Sequence, residues 1–207
     1  MTQPIRSESG RVVPLTVSMT GPTAVGKSQL AKLTAALLSD AVASRVPADY
    51  FLVPRPDDVP IGDFLRRPIA WDWPLLDRLL AQPLGTEATT PDVDFATFAR
   101  RSATGGLPVV VRPVMLVDAM VPYPRADLVI RLDAPADVRR QRLVERDLRW
   151  GTKVIDRWEQ LELAESSARS VPRPPDLSLD GERPLPENAG RVIELIHHAR
   201  TQRKDGR

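Results

Sequence analysis

The sequence predicts an α/β fold in which helices cover both faces of a parallel β-sheet, and three observations carry that expectation. The segment GPTAVGKS at 21–28 stands between a β-branched apolar run and a leucine-periodic stretch. Further short apolar runs alternate with helical patterns, the sequence form of βαβ units. The 207 residues, 42% hydrophobic and 27% charged, have the composition of an ordinary globular chain, with room for a single domain over 1–207 and a substantial core.

The first element is a strand within 12–20 (VVPLTVSMT), whose Val and Thr suit a pleated, buried surface. It runs into Gly21-x4-Gly26-Lys27-Ser28. In that pattern backbone N–H groups cradle a polyphosphate, the lysine meets its outer oxygens and the hydroxyl meets Mg²⁺. Gly21, Pro22, Thr23, Ala24, Val25, Gly26, Lys27, Ser28 and Gln29 are therefore the expected nucleotide-binding residues. Lys27 is also expected to be catalytic, and Ser28 to ligate the metal. Leu30, Leu33, Leu37 and Leu38 recur at helical spacing, so a helix follows whose positive N-terminal end meets the loop.

Further strands are predicted at Arg45–Pro47, Pro108–Arg112, Asp127–Leu132 and Asp176–Leu179. Helices are predicted at Pro74–Ala81, Ala136–Trp150 and Pro186–Arg200, the last burying Ala189, Val192, Ile193 and Ile196. Segments 54–60, 83–92 and 172–175, rich in Pro, Gly or Thr, read as loops. The core of the domain spans about 12–200. The four tryptophans, Trp71, Trp73, Trp150 and Trp158, read as packing residues.

Composition narrows the chemistry. With no cysteine and only His197 and His198, neither disulfides, thiolates nor a histidine-rich metal site is available, so any metal must have oxygen ligands. A net charge of +2 is too small to mark a nucleic-acid partner. No apolar run approaches the ~20 residues that span a bilayer. The segment MTQPIRSESGRVV lacks the apolar stretch of a secretory signal. The expectation is a cytoplasmic protein with no nucleic-acid or membrane partner, and a homodimer is the candidate assembly.

A phosphate loop indicates a nucleotide, not a reaction. Guanine-nucleotide switches would need D-x-x-G and N-K-x-D elements, which the sequence lacks. Between a small-molecule kinase and an ATPase motor, the length favours the kinase. Arg139, Arg142, Arg146 and Arg149 fall at i, i+3, i+7 and i+10, which lines them along one helix face. Such a stripe can close over a transferring phosphoryl group and stabilise its charge. Its alternative is a solvated face pairing with Asp137, Glu145 and Asp147.

At this point the chain resembles the uridine kinase and phosphoribulokinase group of phosphate-loop kinases. The resemblance runs from about Val17 to His198 and rests on GPTAVGKS, ADYF at 48–51, WDWP at 71–74, VDFATFAR at 93–100, VVVRPVML at 109–116 and LDAPADVRRQRLVERD at 132–147. It implies a nucleoside or nucleotide kinase-like three-layer fold with an arginine-bearing lid over about 136–155. It also implies ATP and Mg²⁺, and transfer of the γ-phosphoryl to a hydroxyl of a nucleoside or of a small polyol- or sugar-like acceptor.

By the same resemblance, Arg142 and Arg146 are catalytic lid residues, with Arg142 also touching the nucleotide. Asp49 is the candidate base and metal ligand, although a gap-free match places the family's aspartate on Ala48. Asp72, Asp94, Phe98, Arg100 and Arg112, with Asp49, fall on acceptor positions; Arg112 stands for a glutamate and Phe98 for a histidine. Asp180 and Gly181, in PDLSLDGERPLPENAGRV at 175–192, fall on the loop beside the base. Those departures motivate a second reading, a nucleotide-binding protein without phosphotransfer. The arginine content motivates a third, a nucleic-acid kinase or binding protein with steeply salt-dependent binding.

Overall fold

A computed structural model of the chain describes residues 13–67, 70–95, 99–168 and 174–205; Phe98 lies outside the described residues. The strands are β1 (Leu15–Thr20), β2 (Ala43–Pro47), β3 (Glu87–Asp94), β4 (Ala99–Val110), β5 (Val114–Asp118), β6 (Leu128–Asp133) and β7 (Leu177–Asp180). The helices are α1 (Lys27–Leu38), α2 (Ile61–Leu65), α3 (Trp73–Leu80), α4 (Ala136–Trp150), α5 (Trp158–Ala168) and α6 (Leu185–Asp205), with 3₁₀ turns at Ala48–Phe51 and Val154–Arg157. Five strands pair in parallel in the order β2-β5-β1-β6-β7, and β3 and β4 form a separate antiparallel ribbon.

The sheet is the middle layer of three. Every residue of β1 and β5 is buried, as expected for parallel strands covered on both faces. Side chains alternate across β5. Val114 and Leu116 join Val17, Ile130, Leu30, Ala189, Val192 and Ile196 beneath α1 and α6, while Met115 and Val117 join Val46, Phe51, Phe64, Leu76 and Leu161 on the other face. Burying each such aliphatic side chain contributes about 1.5–3 kcal/mol. Helix α3 starts where Asp72 Oδ1 accepts the Leu75 N–H at 3.0 Å, with Pro74 in its first turn, the arrangement that satisfies an otherwise orphaned helix donor.

Two predicted elements are corrected. Segment 108–112 is the end of the β3–β4 ribbon, and the sheet strand is the neighbouring VMLVD at 114–118. The continuous buried run at 114–118 suits a central parallel strand, whereas Val109 and Val111 are buried to either side of a partly exposed Val110. Segment 83–92, expected as a loop, contains most of β3, whose threonines favour a strand and whose proline is accommodated at an irregularity in its pairing with β4. Helix α5, the short α2 and both 3₁₀ turns carry weak periodicity and were not predicted. Helix α4 matches its expected bounds, and α6 buries Ala189, Val192 and Ile196 as expected, with Ile193 only partly covered.

One glycine is dictated by a close approach. Gly21 has φ +139°, and a Cβ there would lie 2.0 Å from the carbonyl oxygen of Leu132 in the adjacent strand β6. Gly85 has φ +87° with nothing within 4 Å of such a Cβ. Gly21→Ala should therefore cost about 2–5 kcal/mol, from strain and overpacking together. Gly85→Ala should cost only the backbone term of about 1–2 kcal/mol. Urea unfolding of the two variants checks this, and equal losses would contradict the close approach.

Candidate functional site

Register places the site. Asp118, the last residue of β5, lies level with Met19 of β1 on one side and Pro47 of β2 on the other. The chain leaves β1 into the phosphate loop and leaves β2 into the 3₁₀ turn carrying Asp49. The carboxyl ends of three neighbouring strands thus converge, where open α/β sheets place their ligands.

The loop at 21–26 curls with positive φ at Gly21, Ala24 (+62°) and Gly26 (+108°). Ala24 is there against the usual preference of a residue with a Cβ, a strain that phosphate-binding turns store. Helix α1 begins at Lys27 with no acidic residue in its first turn, so nothing offsets the positive end that faces the loop. Lys27 Nζ bends back and donates to the carbonyl oxygen of Pro22 at 2.7 Å. Ser28 and Gln29 follow with exposed side chains.

Beside the loop lies a cavity of about 240 Å³ onto which Thr23, Lys27, Asp49 and Arg146 open. The gap-free alignment at 48–49 is resolved by the 3₁₀ turn: Ala48 is fully buried in the core, and Asp49 lines the cavity. The Asp49 carboxyl is pushed up from 3.8 to about 6, first by desolvation and then by the charge of Asp118, against the opposing pull of Lys27, Arg45 and Arg146. The Asp49 residue is exposed, which softens the desolvation contribution. The push from Asp118 stands apart from it. Asp118 is itself buried, and its Oδ2 accepts from Arg45 Nε at 2.6 Å.

The arginines of α4 divide. Arg139, expected in the lid stripe, is 1% exposed. It donates to Glu162 Oε1 at 2.7 Å and Oε2 at 3.1 Å, and its guanidinium lies 5.2 Å from the Trp158 ring centroid. It is a strut of the fold. Arg142 donates to Val25 O in the phosphate loop at 3.3 Å and to Gly181 O at 3.0 Å. Arg146 reaches the cavity, with a buried Nε that has no hydrogen-bond partner and a pKa lowered by burial. An orphaned cationic donor at a cavity wall calls for an anionic partner. Arg149 is exposed.

Around the nucleotide loop, Gly181 N–H donates to Asp133 O at 2.7 Å, and a Cβ on Gly181 would press on Val25 Cγ2 at 3.0 Å. Asp180 Oδ1 accepts from Glu182 N–H at 2.9 Å, which shapes the same turn.

Other acceptor candidates are drawn into the fold. Asp72 caps α3 and pairs through Oδ2 with Arg100 at 2.9 Å, and Arg100 also donates to Leu52 O at 2.9 Å. Asp94 pairs with Arg101 at 3.0 Å. Arg112 is corrected: it precedes β5, at the opposite end of the sheet from the loop, because the strand it was expected to end is the following one. The four residue steps of β5 separate the two ends by about 13 Å. Asp118 was not predicted. The signal for it was a carboxylate closing the apolar run VMLVD.

Oxygen ligands for Mg²⁺ are available. Ser28, Asp49 and Asp118 carry hard oxygen donors at the ends of neighbouring strands and the start of α1, and the mutual repulsion of two carboxylates is what a divalent cation would relieve. No group of three or more His, Cys, Asp or Glu able to hold a metal occurs among the described residues.

Two solved structures share this architecture. A protein designated a fructose transport system kinase, from Silicibacter sp. TM1040, matches with a TM-score of 0.59 at 25% identity, covering 81% of this chain and 90% of that one. The fold is that of a phosphate-loop kinase. A sugar kinase from Janibacter sp. HTCC2649 matches with a TM-score of 0.54 at 18% identity, covering 91% and 97% of the two chains, a likeness of fold. No family model and no curated protein matches the sequence. These likenesses support a small-molecule kinase. Among the described residues no helix is long and apolar enough to cross a membrane.

Asp49→Asn tests the carboxylate pair. Because the folded pKa of Asp49 is raised above the unfolded value, its charging disfavours the fold: the stability present below 3.8 is lost as pH rises through about 6. The nucleotide-free Asn variant should therefore gain melting temperature over the parent at pH 7.5 and little at pH 4. A gain of the same size at both pH values would show that the Asp49 pKa is not raised in the folded protein.

Proposed function

We propose that the protein is an ATP-dependent kinase that transfers the γ-phosphoryl group of ATP to a hydroxyl of a small molecule. The nucleoside- and polyol-like acceptors implied by the sequence resemblance are the starting range. The observation that carries the reading is one cavity bordered at once by the phosphate loop, Lys27, a carboxylate of raised basicity and an arginine with an unpaired donor.

The division of labour follows from the geometry. Loop amides and Lys27, exchanging its Pro22 carbonyl for phosphate oxygens, hold the β- and γ-phosphates. Arg142 ties the phosphate loop to the 180–181 turn, so the base and phosphate ends of the nucleotide site are set by one side chain. Asp49 accepts the proton of the acceptor hydroxyl as its oxygen bonds to the γ-phosphorus. The bond from that phosphorus to the β–γ bridging oxygen breaks, and ADP leaves. Arg146 stabilises the charge spread over the transferring group. Mg²⁺ held by Ser28 and the Asp49/Asp118 pair would supply charge neutralisation between the β- and γ-phosphates.

Calorimetric titration with Mg²⁺ and a non-hydrolysable ATP analogue should show one site. Lys27→Ala should weaken it by about 1.5–3 kcal/mol, roughly 10- to 150-fold. Asp49→Asn should keep nucleotide affinity within a few-fold while lowering kcat by about 10²- to 10⁴-fold. A chain that takes up no nucleotide at millimolar concentration would end this reading.

A further inference from the structure

Seven of the twelve described residues that line the acceptor cavity are apolar. Leu52, Leu65, Trp71, Phe95, Met120 and Leu161 line it, contributed by six separate segments of the chain. Among the described residues five polar side chains lie on it, and Trp71 Nε1 is one further donor without a hydrogen-bond partner. Thr23 and Lys27 belong to the phosphate loop, Asp49 takes the reacting hydroxyl, Arg146 faces the phosphoryl group, and Arg157 has an interaction partner within the protein. The groups nearby that could have read a ring of hydroxyls are spent on each other: Arg100 binds Asp72 and the Leu52 carbonyl, and Asp94 binds Arg101.

A polyol in this cavity would bury several hydroxyls against Leu, Phe and Met, where Trp71 Nε1 could serve one of them at most, and each unmade hydrogen bond counts against binding. An apolar body would instead remove hydrocarbon from water on both sides of the contact. The volume of about 240 Å³ falls below the ~300–1,000 Å³ of drug-sized pockets, which restricts the occupant to a compact molecule.

We infer that the acceptor is a small alcohol with one hydroxyl presented to Asp49 and an aromatic or branched aliphatic body, rather than a sugar or polyol. The inference rests on the kinase reading and narrows it.

The test uses the full chain saturated with Mg²⁺ and the ATP analogue, with benzyl alcohol, 3-methylbutan-1-ol, fructose, ribose and glycerol as probes read by calorimetry and thermal shift. Benzyl alcohol or 3-methylbutan-1-ol should bind at least tenfold more tightly than any of the three polyols. Leu161→Asn should reduce that preference at least tenfold with nucleotide affinity unchanged. Phe95→Ser, at a position 41% exposed on the cavity wall where the ring meets Tyr50 edge-on, should reduce it in the same direction. Tighter binding of fructose, ribose or glycerol, no binding of either apolar alcohol, or indifference to both substitutions would overturn the inference while the kinase reading survives. Failure of the nucleotide analogue itself to bind would instead remove the kinase reading, and the inference with it.

Discussion

The level ending of three parallel strands is the constraint on which the site depends. Pairing of β1 with β5 and of β5 with β2 fixes Asp118 between Met19 and Pro47. The phosphate loop and the Asp49 turn must then emerge side by side. Side chains alone could not hold two carboxylates in mutual repulsion; a hydrogen-bonded backbone, buried on both faces, can. The contact of Gly21 with the Leu132 carbonyl extends the same backbone control to β6, so the entry of the loop is set by main chain on both flanks.

Helix α4 shows how one arginine-rich face can serve several purposes. Residues at i, i+3 and i+7 lie one above another, yet their surroundings change along the helix. Arg139, near the start, meets α5 and becomes a buried strut on Glu162 and Trp158, also reaching the Thr23 carbonyl at 3.4 Å. Arg142 meets two backbone carbonyls and braces the loop. Arg146 alone of the three borders the cavity, beyond the reach of those partners. Because Arg139 touches both the phosphate loop and α5, and α5 supplies Leu161 to the acceptor wall, the nucleotide and acceptor halves of the site are joined through one guanidinium.

Much of this was legible because it is local. GPTAVGKS names its own geometry, and the 3.6-residue periodicities of α1, α4 and α6 survive in the sequence. Partnerships between distant segments were not legible. Nothing adjacent to Asp72 or Arg100 in sequence announces that they pair across 28 positions. Nothing in the arginine stripe separates Arg139 from Arg146 until α5 is packed against one of them. Arg112 and Asp118 were confused because two apolar runs, 108–112 and 114–118, compete for one strand, and only burial from both faces decides between them. Asp49 was legible as a residue but not as a position, because only the packed fold shows that Ala48 joins Val46 in the core while Asp49 opens onto the cavity.

The carboxylate pair also explains why the base would be suited to its task. An ordinary aspartate, with a pKa near 3.8, is fully ionised at neutral pH but a poor proton acceptor. Raising Asp49 to about 6 keeps it ionised at pH 7.5 and makes it a stronger base. Part of that gain comes from Asp118, and Asp118 is in turn restrained by Arg45 at 2.6 Å. Were Arg45 absent, its lowering pull on Asp49 would be lost and Asp49 would rise further. Were Asp118 absent, Lys27, Arg45 and Arg146 would pull Asp49 down toward an ordinary aspartate. The basicity of Asp49 is thus held between limits by two opposed charges, each fixed by strands that end at the same level.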